Sequence, residues 1–212
     1  MNRRTLLAGF AGSLLAAANR LPANKNVRWA LGANLWNYFP RVPFTDILDV
    51  MRYTGFIGIR LTQFPTILKT YDITAAQIEK EVSKRNLAVV TISFNGPTHD
   101  PTQVSKILVD ARAAMEFLKN FGAHHLVVFS PSRKSKGADA PDAFSNMCAT
   151  FNHIGEVAGE MGFRAGLHNH LGQLVQNMDE IDRAMRLIDA KLFHFSPDTR
   201  MFTWRAATFR KW

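Results

Sequence analysis

Six times along the chain, a short apolar, β-branched run is followed by a longer stretch whose apolar residues recur at helical spacing. The runs are VRWALGANL (27–35), IGIRLT (57–62), LAVVTISF (87–94), HHLVVFS (124–130), FRAGLHNH (163–170) and LFHFSPDT (192–199). Parallel neighbours need a crossover long enough to hold a helix, so this alternation predicts an α/β fold: a parallel sheet with helices outside it. The third run is apolar almost throughout, as a strand covered on both faces must be. Two architectures fit, a doubly wound open sheet and a (β/α) barrel of the TIM type. The first run lacks the Gly-x-Gly-x-x-Gly turn of a dinucleotide-binding sheet. A barrel of eight units takes ~250 residues. The sixth run ends close to the end of this 212-residue chain, so a barrel here would be incomplete, with about six of eight β/α units.

Local signals support the helices. Thr74 stands as N-cap before AAQIEKEVSKRN, and Asp100 and Pro101 open a long helix that Gly122 closes. The single cysteine, Cys148, excludes an internal disulfide and reads as a small buried thiol in a helix. The formal charge of +9 is concentrated at the two ends. Arg3 and Arg4 lie near the start, and Arg200, Arg205, Arg210 and Lys211 lie in an acid-free, atypical basic tail over 200–212. No basic stripe with interleaved aromatics remains between them, which argues against a nucleic-acid partner.

The start, MNRRTLLAGFAGSLLAAANR, carries paired arginines, an apolar stretch from Leu6 to Ala18 and a small-residue cleavage pattern. Residues 1–18 read as a twin-arginine-like signal peptide, too short to span a membrane. An ordinary secretion signal or a retained anchor are the other readings. Export implies a periplasmic or secreted protein, with no membrane association once the signal is removed.

In parallel α/β folds, function gathers at the C-terminal strand ends. The polar residues there include Asn34, Arg60, Asn95, Ser130, His168, His170 and Asp198, with Trp36 and Phe94 as apolar faces, a lining suited to a polyhydroxylated ligand. His168 and His170 stand at i and i+2, which on a strand puts both on one face and turns Asn169 away. With Asp198 from the next strand they could bind a divalent ion, in the pattern of a catalytic site with open positions. The other reading gives one histidine a hydrogen bond within the fold and the other a place in a loop. His124, His125 and His153 read as structural, His194 as core or helix-facing, and Glu156, Glu160, Glu180 and Asp182 as solvated helix faces.

The segments GFIGIRLTQFP, LAVVTISFNGPTHDP, HHLVVFSP, GLHNHLGQLVQNMDEIDRAM and FHFSPDT together resemble the sugar phosphate isomerase/epimerase superfamily. These are xylose isomerase-like TIM barrels that include tagatose epimerases, hydroxypyruvate isomerases and inosose dehydratases. The resemblance runs from Val27 to Thr199. It implies one divalent ion (Mn, Co, Mg or Zn) at the strand ends, held by Glu, Asp, His and Glu from the fifth to eighth strands. His168 occupies the fifth-strand carboxylate position and Asp198 matches the sixth-strand ligand, so these two are the expected metal ligands.

His170 and Asn95 are then the expected catalytic residues, and Asn34, Trp36, Arg60 and Gln176 the expected substrate-binding ones. Met201 stands where relatives place a substrate-contacting His. Strands seven and eight have no counterpart, so a C-terminally truncated barrel is expected. The resemblance implies a sugar isomerase/epimerase-like protein acting on a keto-sugar or polyol by metal-assisted proton transfer, impaired by truncation. A non-catalytic remnant or sugar-binding module is the alternative. The implied partner is a small-molecule sugar or polyol, with self-association through the open barrel edge.

Overall fold

β-strands along the chain follow the order in which their apolar runs occur. A computed structural model describes residues 30–32, 35–39 and 41–198, apart from the side chains of Leu31 and Asn37. The signal segment 1–18, Asn34, Met201 and the tail 200–212 lie outside the described residues. The described residues form two compact units, one of residues up to 92 with 117–123, and one of residues 93–116 with 124–198.

In the first unit, β1 (Ala30–Leu31), β2 (Gly58–Leu61) and the start of β3 (Ala88–Phe94) pair in parallel, Ala30 beside Gly58 and Ile59 beside Val89. A short helix α1 (Leu35–Tyr38) follows β1 and takes in Leu35, the last residue of the run read as strand. The cause is packing: Trp36 is buried and its ring stacks on Phe44 with centroids 5.4 Å apart. Helices α2 (Phe44–Tyr53), α3 (Thr66–Thr70) and α4 (Ala75–Ser83) complete the described part of this unit. Their apolar stripes bury Ile47, Leu48, Met51 and Ile78 fully, and Ile59 and Leu61 of β2 are as deeply buried. Thr74 caps α4 as expected, in a reciprocal capping box with Gln77.

Arg85, just past α4, reaches Asp49 of α2 and Glu81, each at 2.7 Å. Hydrogen bonds from Lys84 and Arg85 hold the Glu81 carboxyl at about 2. A lowered folded-state pKa contributes stability that is complete above the unfolded value, near 4.5, and is lost as pH falls through about 2. Glu81→Gln is therefore expected to lower stability at pH 6 and to converge with the parent between pH 4.5 and pH 2, as read by urea denaturation. A difference that stays constant with pH would contradict this assignment.

In the second unit, the end of β3, β4 (His125–Phe129), β5 (Arg164–His168) and β6 (Phe193–Phe195) pair in parallel. Ser93, Val127, Gly166 and His194 stand in one row across them. Helices α5 (Val104–Lys119), α6 (Ala143–Glu160) and α7 (Met178–Leu187) are the crossovers. Val128 and Leu167, one position past that row, and Phe193, one position before it beside Ala165, are fully buried, and Phe193 stacks on Phe151 of α6 at 5.0 Å. The approach is close at Gly155, where a Cβ would lie 2.5 Å from the Leu192 carbonyl oxygen. The N-terminus of α5 follows the expected Asp100–Pro101 signal, with a 3-10 turn over Pro101–Gln103 and the Asp100 carboxylate accepting from Thr102 N–H.

The strand order is sequential in both units, β1-β2-β3 and β3-β4-β5-β6. A doubly wound sheet reverses its order at a switch point, whereas a (β/α) barrel does not. The architecture is therefore the TIM type, with six strand units among the described residues against the eight of a full barrel. Among the described residues no helix is long and apolar enough to cross a membrane.

Candidate active site

The end of β5 and the residues after β6 meet through three consecutive pairs of groups. Ser196 N–H donates to the Leu167 carbonyl at 2.8 Å, extending the ladder one residue past β6. His168 Nδ1 lies 2.9 Å from the Ser196 carbonyl oxygen. The Asn169 side-chain oxygen accepts from Asp198 N–H at 2.8 Å. A carbonyl only accepts, so His168 carries a proton on Nδ1, and in the neutral ring Nε2 is the nitrogen with the lone pair. That Nε2 lies 3.9 Å from Asp198 Oδ2. The gap is too long for a hydrogen bond, and it is wider than the ~3.4 Å that separates two ligands of one tetrahedral ion with bonds of ~2.0–2.2 Å, so the two groups would have to draw closer to share one.

The setting favours an ordered imidazole. His168 is buried, and the Phe129 ring meets it edge-on at 4.6 Å. A histidine that donates one ring N–H to a backbone carbonyl while presenting the other nitrogen is arranged as metal ligands are. Asp198 is half-buried. Among the described residues no group of three His, Cys, Asp or Glu side chains is placed to hold a metal ion. His168 and Asp198 are thus two candidate ligands by residue type, not a complete set.

His170 is placed differently from the strand reading. β5 ends at His168, and the chain turns back at once, with Gln173 N–H on the His170 carbonyl and His170 N–H on the Val175 carbonyl. Gly172, at φ +78°, makes the left-handed step of this turn. His170 is therefore an exposed loop residue, its ring 6.4 Å from that of His168. Asn95 is also exposed, one residue past the Phe94–Val128 pair of β3 and β4. Gln176 uses its side-chain oxygen to accept from Gly172 N–H at 2.8 Å, closing the same loop.

The loop after β4 is strapped to the loop after β5. Arg133 N–H reaches the Gly172 carbonyl and Leu174 N–H the Pro131 carbonyl, each at 2.9 Å, and the Ser130 hydroxyl accepts from Val175 N–H. Arg133 also pairs with Glu180, which accepts from the N–H groups of Gln176 and Asn177 at the start of α7. Burial pushes the Glu180 carboxyl up, but these N–H donors and the Arg133 guanidinium outweigh it and hold it below its ordinary value. Glu180, expected as a solvated side chain, is instead a cap and a tether. Its Asn177-x-x-Glu180 spacing is the local signal. Asn169, which sequence reasoning turned away from the site, is fully buried beside Asp198.

Arg60 and Trp36 belong to the first unit. Arg60 Nη2 donates to the Gly32 carbonyl at 2.6 Å, bridging the ends of β2 and β1. Trp36 packs in the core as described above.

The model of the xylose isomerase-like TIM barrel family matches residues 47–204. An inosose dehydratase of Klebsiella pneumoniae is 27% identical over 166 residues, covering 71% of this chain and 52% of the relative. An inosose dehydratase of Bacillus velezensis is 26% identical over 132 residues, covering 58% and 44%. The chain thus spans about half the length of these curated relatives. Among solved structures, a probable 3-DHS dehydratase of Bacillus anthracis superposes with a TM-score of 0.64 at 15% identity, covering 81% of this chain and 62% of that one. The IOLI protein, solved with a bound zinc atom, superposes with a TM-score of 0.61 at 12% identity, covering 80% and 62%.

Proposed function

The chain belongs to the xylose isomerase-like TIM barrel family, and from that premise we propose that it is a sugar isomerase/epimerase-like protein that moves a proton next to the carbonyl of a keto-sugar or cyclitol. The observation that carries this reading is the His168–Asp198 pair, with Nδ1 bonded to the Ser196 carbonyl and Nε2 on the side of the carboxylate. The inosose dehydratases among the relatives support a keto-cyclitol substrate. The zinc in the IOLI protein supports a divalent ion at the strand ends.

In this reading His168 Nε2 and Asp198 would hold a divalent ion, Mn, Co, Mg or Zn. When bound, such an ion supplies Lewis-acid polarisation of the substrate carbonyl. His170, exposed in the adjoining loop, takes the proton from the carbon beside that carbonyl and returns it. Asn95 hydrogen-bonds a neighbouring hydroxyl and so orients the ring. The strap from Arg133 to Glu180 holds the His170 loop against the loop after β4.

Solvent exchange tests the reaction. The full chain, supplied with Mn2+ and a keto-inositol in D2O, is expected to place deuterium on the carbon beside the carbonyl, as read by proton NMR. His170→Ala is expected to slow this by ~100- to 10,000-fold, the usual range for losing a general acid–base group. Exchange no faster than in buffer with Mn2+ alone would overturn the reading.

A further inference from the structure

Asn169 stands between the two histidines and is fully buried. Its side-chain oxygen accepts from Asp198 N–H at 2.8 Å. The reverse amide orientation would set two donors against each other, so the hydrogen-bond pattern fixes which end faces Asp198. The amide nitrogen Nδ2, by contrast, is buried with no hydrogen-bond partner among the described residues. A buried donor without a partner is unfavourable, so the side chain is kept there for its oxygen.

The geometry around it explains why. Residues 167–169 grip residues 196–198: the Leu167 carbonyl takes Ser196 N–H, the His168 ring takes the Ser196 carbonyl, and Asn169 takes Asp198 N–H. The first two hold only Ser196. Pro197 lies between Ser196 and Asp198, and its ring leaves no backbone N–H to anchor that step. Asn169 makes a direct contact with the backbone of Asp198 itself.

We propose that Asn169 is a positioning residue that sets the Asp198 carboxylate toward His168 Nε2. The proposal rests on the reading of His168 and Asp198 as metal ligands, but its geometric part stands without an ion. Asn169→Leu keeps the size and removes the acceptor, whereas Asn169→Asp keeps the acceptor.

Amide hydrogen exchange of the metal-free full chain gives the first readout. Asn169→Leu is expected to speed exchange at Asp198 by at least ~10-fold, with Phe193 to Phe195 unchanged and Asn169→Asp close to the parent. Co2+ titration gives the second. Asn169→Leu is expected to lose ~10- to 100-fold in affinity, the range for removing a group that orients a ligand, and Asn169→Asp is expected to restore most of it. Unchanged exchange at Asp198 would overturn the proposal, as would loss of protection across the whole of β6. If the parent chain binds no Co2+, the metal reading fails, and Asp198 exchange alone decides whether Asn169 positions that residue.

Discussion

Phe193→Ala is expected to lower the stability of the protein by ~3–5 kcal/mol, the range for deleting a fully buried aromatic ring. Phe193 has no exposed surface, and its ring lies parallel to Phe151 at 5.0 Å. Strand β6 is only three residues long, so little else holds it. Its inner neighbour is β5, where Phe193 pairs with Ala165, and its outer cover is α6. Removing the ring leaves a cavity between sheet and helix that Phe151 cannot fill, because Ile154 and Met147 of the same helix are already buried. Urea denaturation measures the loss. Phe193→Leu, which retains much of the volume, is expected to cost less than half as much. Equal losses for the two variants would mean that ring packing does not hold β6.

The second large effect concerns chemistry. His168→Ala and Asp198→Ala are each expected to reduce deuterium exchange into the substrate to the rate seen with free metal. Each removes one of the two proposed ligands, and among the described residues no third His, Cys, Asp or Glu side chain completes a metal-holding group with them. His168→Gln distinguishes a ligand from a packing group, since it keeps bulk against Phe129 but alters the donor nitrogen. If His168→Gln retains exchange while His168→Ala loses it, the ring serves packing and not the metal.

Much of this arrangement was legible in the sequence, and the limits have physical causes. The six strands could be found because β-branched apolar runs buried on both faces leave a mark that needs no tertiary knowledge. Their order could not. A barrel and a doubly wound sheet share the same local pattern, and only the observed sequential pairing separates them. The Thr74 and Asp100 caps were equally readable, since each bonds within three residues.

The site was legible in its residue types more than in its geometry. His168 and Asp198 could be named, and the structure brings them to 3.9 Å. The face of His170 could not be inferred from strand alternation, because the chain leaves β5 at His168 and reverses around Gly172. Trp36 looked like an aromatic at a strand end, and packing against Phe44 drew it into the core. Asn169 was the hardest to see. Its partner Asp198 is 29 residues away, and no local spacing announces the bond. Glu180 shows the opposite case, since its capping box was present in the sequence and only its tie to Arg133 depended on the fold.

A divalent ion held at the strand ends through His168 and Asp198 is the central feature of the proposed site. Co2+ titration of the purified full chain, followed by its visible ligand-field bands, measures this directly. One equivalent is expected to bind to the parent chain, and His168→Ala and Asp198→Ala are each expected to abolish those bands while the far-ultraviolet circular dichroism stays unchanged. A parent chain that binds no Co2+, or one whose bands survive both substitutions, would contradict the site proposed here.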